Sequence, residues 1–240
     1  MSDTLSSAVG AMGSGDSVLA TTYAAADPGS PERAHHPSAM TDDLLIRGPA
    51  AAEQRLVLLH GWGADADDLL DLGEELAGRA TGVISLRAPE AHPHGVGRQW
   101  YDLQQPEWPG LAGARQHLRQ RLEALAETLP LERTIVLGFS QGAAMALDVA
   151  GELPVAGVIA CSGYPHPGWR PRSPLPPVLL THGRTDPVVP YGASEELQRL
   201  WRSAGGESEL LGFPGGHTID PALFPSLRSF LQQHFPRPPA

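Results

Sequence analysis

The chain has no lysine and no asparagine. All 17 of its basic side chains are therefore arginine, which we read as the coding bias of a GC-rich genome rather than a functional signal. There is one cysteine, Cys161, which excludes an internal disulfide framework and fits a reducing, cytoplasmic compartment. No apolar run approaches the ~20 residues of a membrane span, so stable membrane insertion is not expected. Positive charge is scarce. A net charge of -10 argues against nucleic acid and against anionic membrane surfaces as partners. The first 40 residues have no basic start and no continuous apolar core, so they read as a poor secretory leader. They are rich in Ala, Ser, Gly and Pro. Residues 1–41 are expected to be disordered or loosely packed, with an organised domain over 42–240. Met40 directly precedes the organised sequence and is a candidate start of translation.

What is present is enough for one large domain: 240 residues, 41% of them apolar. Strands are expected at 43–47, 55–60, 82–87, 134–137, 155–160, 178–182 and 208–213. Several are continuous apolar runs, as in parallel strands covered on both faces. Helices are expected at 66–76 with Asp65 as N-cap, at 114–129, after 142, at 194–203 and at 223–235. Strands alternating with helices predict an α/β fold, a mostly parallel central sheet with helices on both faces. Residues 88–113 read as a long irregular loop broken by Pro and Gly. Residues 162–177 are short and proline-rich, so no large cap domain fits there.

The most informative stretch is 134–147. A short apolar run leads into Gly138-Phe139-Ser140-Gln141-Gly142, and helix-forming residues follow. Strand, tight turn with a serine, helix is the context of a G-x-S-x-G nucleophile elbow. The two glycines allow backbones to approach closely at so sharp a turn. The helix N-terminus then faces any negative charge that develops at the serine.

A serine hydroxyl needs a base to take its proton, and histidine suits because it titrates near neutrality. A carboxylate fixes the tautomer and stabilises the imidazolium. Asp186 and His217 stand at or just past later strand ends, which completes the chain order Ser140, Asp186, His217. Asp148 and Glu152 are poorer acids because both lie on or after the elbow helix. The oxyanion of an acyl-transfer intermediate needs N–H donors. The amide of Gln141 and that of Trp62, in the loop after the 55–60 strand, are the candidates; the Trp62 ring can also form a pocket wall. Trp100, Tyr101 and Trp108 are either acyl-side substrate-binding walls or loop packing. His60 and His182 are expected to orient loops by hydrogen bonding. His92 and His94 lack a third ligand, so no metal is expected. Ser162 has no elbow and reads as structural, and Cys161 as a small buried hydrophobe.

Five segments in order carry a resemblance: 59–65 (Leu-His-Gly-Trp-Gly-Ala-Asp), 98–102 (Arg-Gln-Trp-Tyr-Asp), 138–142, 182–190 (His-Gly-Arg-Thr-Asp-Pro-Val-Val-Pro) and 215–217 (Gly-Gly-His). With them, residues 44–235 resemble α/β-hydrolases of the carboxylesterase/phospholipase type, which includes acyl-protein thioesterases. The resemblance implies a backbone donor at Trp62, where members often carry a smaller apolar residue. It also implies hydrolysis of carboxylic esters or thioesters without metal or cofactor. The expected partner is a small-molecule acyl ester or thioester, and a homodimer is compatible with the sequence. Two other readings are a peptidase on the same fold and a non-catalytic binding protein that retains it. No acidic pocket for a peptide amine is apparent, and no triad position is missing.

Overall fold

Apolar runs of five or six residues, bounded by Gly, Pro and polar turns, form the centre of this protein. A computed structural model describes residues 40–41, 43–78 and 80–236. Strands β1 (Met40–Thr41), β2 (Leu44–Arg47), β3 (Gln54–Leu59), β4 (Thr81–Leu86), β7 (Thr134–Phe139), β8 (Gly157–Cys161), β9 (Val178–Gly183) and β10 (Ser208–Phe213) make one sheet in the order β1-β2-β4-β3-β7-β8-β9-β10. The six strands from β4 to β10 in that order are parallel. β2 joins β4 antiparallel, and the two-residue β1 joins β2 antiparallel. The sheet thus takes up Met40 and Thr41, just ahead of the expected domain start at 42. The expectation of loose packing before them lies outside the described residues.

Side chains alternate across a strand, and the sheet uses both faces. Val57, Leu59, Val136, Val158 and Leu180 point to one layer, with helices α2 (Leu111–Leu125), α3 (Gln141–Val149) and α4 (Gly192–Ser203). Leu56, Leu58, Ile135, Leu137, Ile159 and Leu179 point to the other, against α1 (Leu70–Ala77) and α5 (Phe224–His234). This is the mostly parallel sheet with helices on both faces that the sequence predicts. No helix interrupts the path from β8 to β9, so no cap domain covers the strand ends there.

Two expectations need correction. The helix expected from residue 66 begins at Leu70. Asp65 Oδ1 does accept the Ala66 amide at 2.7 Å, but the same carboxylate is gripped by Arg87 at 2.7 and 2.9 Å. The chain then makes separate turns, Asp68 N to Asp65 O and Leu70 N to Asp67 O, before a helix can run. Residues 88–113 are also not wholly irregular. They contain the antiparallel pair β5 (Glu90–Ala91) and β6 (Arg98–Gln99), and α2 starts within them at Leu111 and ends at Leu125 rather than 129.

Candidate active site

Strand β7 ends at Phe139 and α3 begins at Gln141, so Ser140 alone makes the turn. Its φ of 52° and ψ of -116° lie where non-glycine residues are strained. Backbone crowding explains the flanking glycines. A Cβ on Gly138 would lie 2.3 Å from Gly142 O, and one on Gly142 would lie 2.1 Å from Leu59 O. Ser140 occupies the N-cap position of α3, yet its side chain caps nothing. Its Oγ lies 2.9 Å from His217 Nε2 instead.

His217 reaches that position because the loops after β9 and β10 are laced together. Thr185 gives both its amide and its hydroxyl to Gly215 O, at 3.1 and 3.0 Å. A Cβ on Gly183 would lie 2.2 Å from Gly216 O, so only glycine admits this approach. The lacing brings Asp186 Oδ2 to 2.7 Å from His217 Nδ1. Nδ1 facing a carboxylate carries the hydrogen, which leaves Nε2 to accept from Ser140. Asp186 Oδ1 accepts the amides of Val188 and Val189 at 2.8 and 2.9 Å. Burial pushes the Asp186 pKa up, but hydrogen bonds from His182, His217 and the Val189 amide outweigh it and hold the carboxyl well below the usual range. The Phe139 ring packs 4.9 Å from the His217 ring and limits its swing.

The loop after β3 runs beside the serine: a Cβ on Gly61 would lie 3.5 Å from Ser140 Cβ. Trp62 follows directly. Its amide and that of Gln141 donate to no acceptor among the described residues. For Gln141 this follows from its place as the first residue of a helix. Neighbouring groups hold the loop in place. Gly63 N donates to Arg98 O at 2.9 Å, and Arg98 N to Ala64 O at 2.7 Å, so 63–64 pair with β6. Trp62 Nε1 donates to Gln99 Oε1 at 2.9 Å. The fully buried His60 binds Gly61 O through Nδ1 at 2.8 Å and accepts the Ala88 amide at Nε2 at 3.1 Å.

Trp100 and Tyr101, expected as acyl-side walls or as loop packing, are packing. They are 1% and 0% exposed, with no surface left to touch a substrate. Trp100 Nε1 is spent on His60 O, and the Tyr101 hydroxyl on Tyr164 and His166. Trp108, 7% exposed, sits against the rings of Tyr101, Tyr164 and His166. All three belong to the core beneath the loop, because the loop turns its aromatic side inward onto α2 and α3.

A family model described as Phospholipase/Carboxylesterase matches residues 42–235. The chain belongs to the phospholipase/carboxylesterase family. It is 28% identical over 199 residues to Esterase YpfH of Escherichia coli K12, covering 75% of this chain and 82% of that protein. It is 26% identical over 205 residues to Acyl-protein thioesterase 1 homolog 1 of Dictyostelium discoideum, covering 76% and 91%. Among solved structures, that of esterase PE8 superposes with a TM-score of 0.71 and 31% identity over 79% of this chain and 99% of that one. The fold is that of the α/β-hydrolases, and the chain is a hydrolase of an esterase and thioesterase family.

One contributor to this family member's site was not foreseen. The buried Gln141 side chain accepts the Trp100 amide at 3.0 Å and donates to Tyr101 O at 2.7 Å, stapling the 88–110 loop onto the elbow. A glutamine immediately after a nucleophile-elbow serine is visible in the sequence, but its partners 40 and 41 residues away are not. Cys161 is buried and its thiol pushed up to about 12 by burial, in keeping with a small hydrophobe. His94 donates its amide to His92 Nδ1, and among the described residues no group of three His, Cys, Asp or Glu side chains is arranged to hold a metal ion. No described helix is long and apolar enough to cross a membrane.

Proposed function

We propose that this protein is a serine hydrolase that cleaves carboxylic esters or thioesters through Ser140, His217 and Asp186. One observation carries the reading: the unbroken chain Ser140 Oγ, His217, Asp186 at 2.9 and 2.7 Å, on the carboxyl ends of parallel strands. Ser140 Oγ attacks the acyl carbonyl as His217 Nε2 takes its proton. Asp186 stays ionised, fixes the Nδ1–H tautomer and offsets the imidazolium charge. The oxyanion is received by the amides of Trp62 and Gln141, both without another acceptor among the described residues, with the N-terminus of α3 behind them. His217 returns the proton to the departing alcohol or thiol. Water, activated by the same imidazole, then releases the acid from the acyl-enzyme. The roles of all five residues are part of this proposal. No side chain at the site serves a metal or cofactor in it.

The substrate is a small acyl ester or thioester of modest chain length, because the loop aromatics available to wall a deep acyl tunnel are committed to the core. Of the tryptophans and tyrosine expected as pocket walls, Trp62 is the one that keeps a part-exposed side chain. The test is turnover of p-nitrophenyl butyrate and of a butyryl thioester. Ser140→Ala and His217→Ala should each lose at least about 1,000-fold in kcat, since triad members act as a unit. Wild-type rates in Ser140→Ala would remove the proposal. A fluorophosphonate that fails to label Ser140 would favour a non-catalytic binding protein.

A further inference from the structure

Asp186 is held by a second histidine that the reaction does not use. His182 lies at the carboxyl end of β9 and is completely buried. Its Nε2 lies 2.8 Å from Val189 O and 3.3 Å from Asp186 Oδ2. Both neighbours are acceptors, so Nε2 carries the hydrogen. Its Nδ1 lies 2.6 Å from Ser194 Oγ, in the first turn of α4, and Ser194 is also completely buried. With Nε2 protonated, neutral His182 accepts the Ser194 hydroxyl hydrogen at Nδ1.

We infer that His182, its tautomer set by Val189 O and Asp186 and its ring held by Ser194, is a positioning residue for the acid of the proposed triad. The inference rests on the serine-hydrolase reading. Val189 is the link. Its amide donates to Asp186 Oδ1, and its carbonyl accepts from His182. The turn that aims Asp186 is thereby tied to the end of a central strand on one side and to α4 on the other. Two polar side chains completely removed from water are costly unless their bonds are made. The hydrogen-bond partners of these two are each other and the turn that carries Asp186. An aliphatic pair would fill the same space without that cost. What it would lose is the aim of the carboxylate, and with it the His217 ring 2.7 Å away. Displacements of about 1 Å near reacting groups can lower rates by about 100-fold.

The experiment compares kcat and KM for p-nitrophenyl butyrate, per site titrated with a fluorophosphonate, in wild type, His182→Leu, His182→Gln, Ser194→Ala and Ser194→Thr. In His182→Gln the side-chain amide nitrogen reaches roughly where Nε2 stands and keeps a donor for Val189 O. His182→Leu should lose about 10- to 100-fold in kcat with KM within about twofold of wild type. His182→Gln should recover most of the loss. Ser194→Ala should lose severalfold, and Ser194→Thr should restore it. Unchanged kcat per titrated site in His182→Leu overturns the inference, since a side chain that only fills space alters how many sites survive rather than how fast each turns over. If His182→Leu does not fold, Ser194→Ala decides in the same way. Failure of the underlying reading looks different: Ser140→Ala would then keep wild-type turnover, whatever residues 182 and 194 do.

Discussion

At neutral pH His60 carries its hydrogen on Nδ1, where it meets Gly61 O, and uses Nε2 to accept the Ala88 amide. Protonating Nε2 destroys that acceptor and places a charge in a fully buried position. Burial accordingly lowers the His60 pKa from 6.5 to about 4, against the opposing pull of Gly61 O and Asp65. An unfolded His60 binds a proton below 6.5 and the folded one does not until about 4. The stabilisation from a neutral His60 is therefore complete above pH 6.5 and lost as pH falls from 6.5 towards 4. A shift of this size corresponds to about 3 kcal/mol at full loss. Asp186 acts in a lower window: its pKa is depressed, so its contribution is present above the ordinary carboxylate value and disappears only below it. Urea unfolding between pH 4 and 6.5 separates the two. His60→Gln should show a shallower fall of stability with acid than wild type over that range, by close to one proton in slope. Equal slopes would mean that His60 titrates as freely in the folded chain as in the unfolded one.

The elements differ in how far their own residues define them. β7 runs from Thr134 into the elbow because strands covered on both faces are apolar runs closed by glycine or proline, and the edge strand β10 spans the expected 208–213, ending before Pro214. Helix starts are another matter. α1 begins at Leu70 because Arg87, 22 residues away, holds the Asp65 carboxylate, and nothing local announces that grip. α2 ends at Leu125, short of the apolar spacing that continues to Leu129, since the chain there tightens into turns and Leu129 O is taken by Arg55. The junction of β7 and α3 is the most constrained of all. Gly142 lies against the backbone of β3, where an added methyl group would stand 2.1 Å from Leu59 O. Leu59 sits in the middle of a sheet with partners on both sides and cannot retreat. Gly142→Ala should therefore destabilise the protein by about 3 kcal/mol, the upper part of the range for overpacking, and should impair activity through displacement of Gln141. Chemical denaturation gives the first quantity and ester turnover the second. A variant as stable as wild type would show that α3 can slide.

Across the whole molecule, the residues that could do chemistry were legible because strand ends in a parallel sheet collect them on one side, and the order Ser140, Asp186, His217 follows the strand order. The inward turn of Trp100 and Tyr101 was not, because a loop has no periodicity that assigns a side chain to a face. Their direction is set by groups from distant elements: His60 O at the end of β3 for the Trp100 ring, and Tyr164 and His166 after β8 for the Tyr101 hydroxyl. Gln141 completes this set from the elbow itself, by one bond to each residue's backbone. The loop that pairs with 63–64 is thus coupled to the serine turn through one side chain as well as through the sheet. Gln141→Met tests that coupling, since it keeps the backbone amide and roughly the side-chain length but removes both bonds. Amide hydrogens of residues 98–103 should exchange faster with solvent in the variant, the Trp100 amide most of all, while those of β7 stay protected. Ester turnover should fall by about tenfold, because the partners of Gly63 and Ala64 loosen while Ser140, His217 and Asp186 remain in place. If exchange over 98–103 is unchanged, the aromatic core beneath the loop holds it unaided, and the two Gln141 bonds serve only to satisfy buried polar groups.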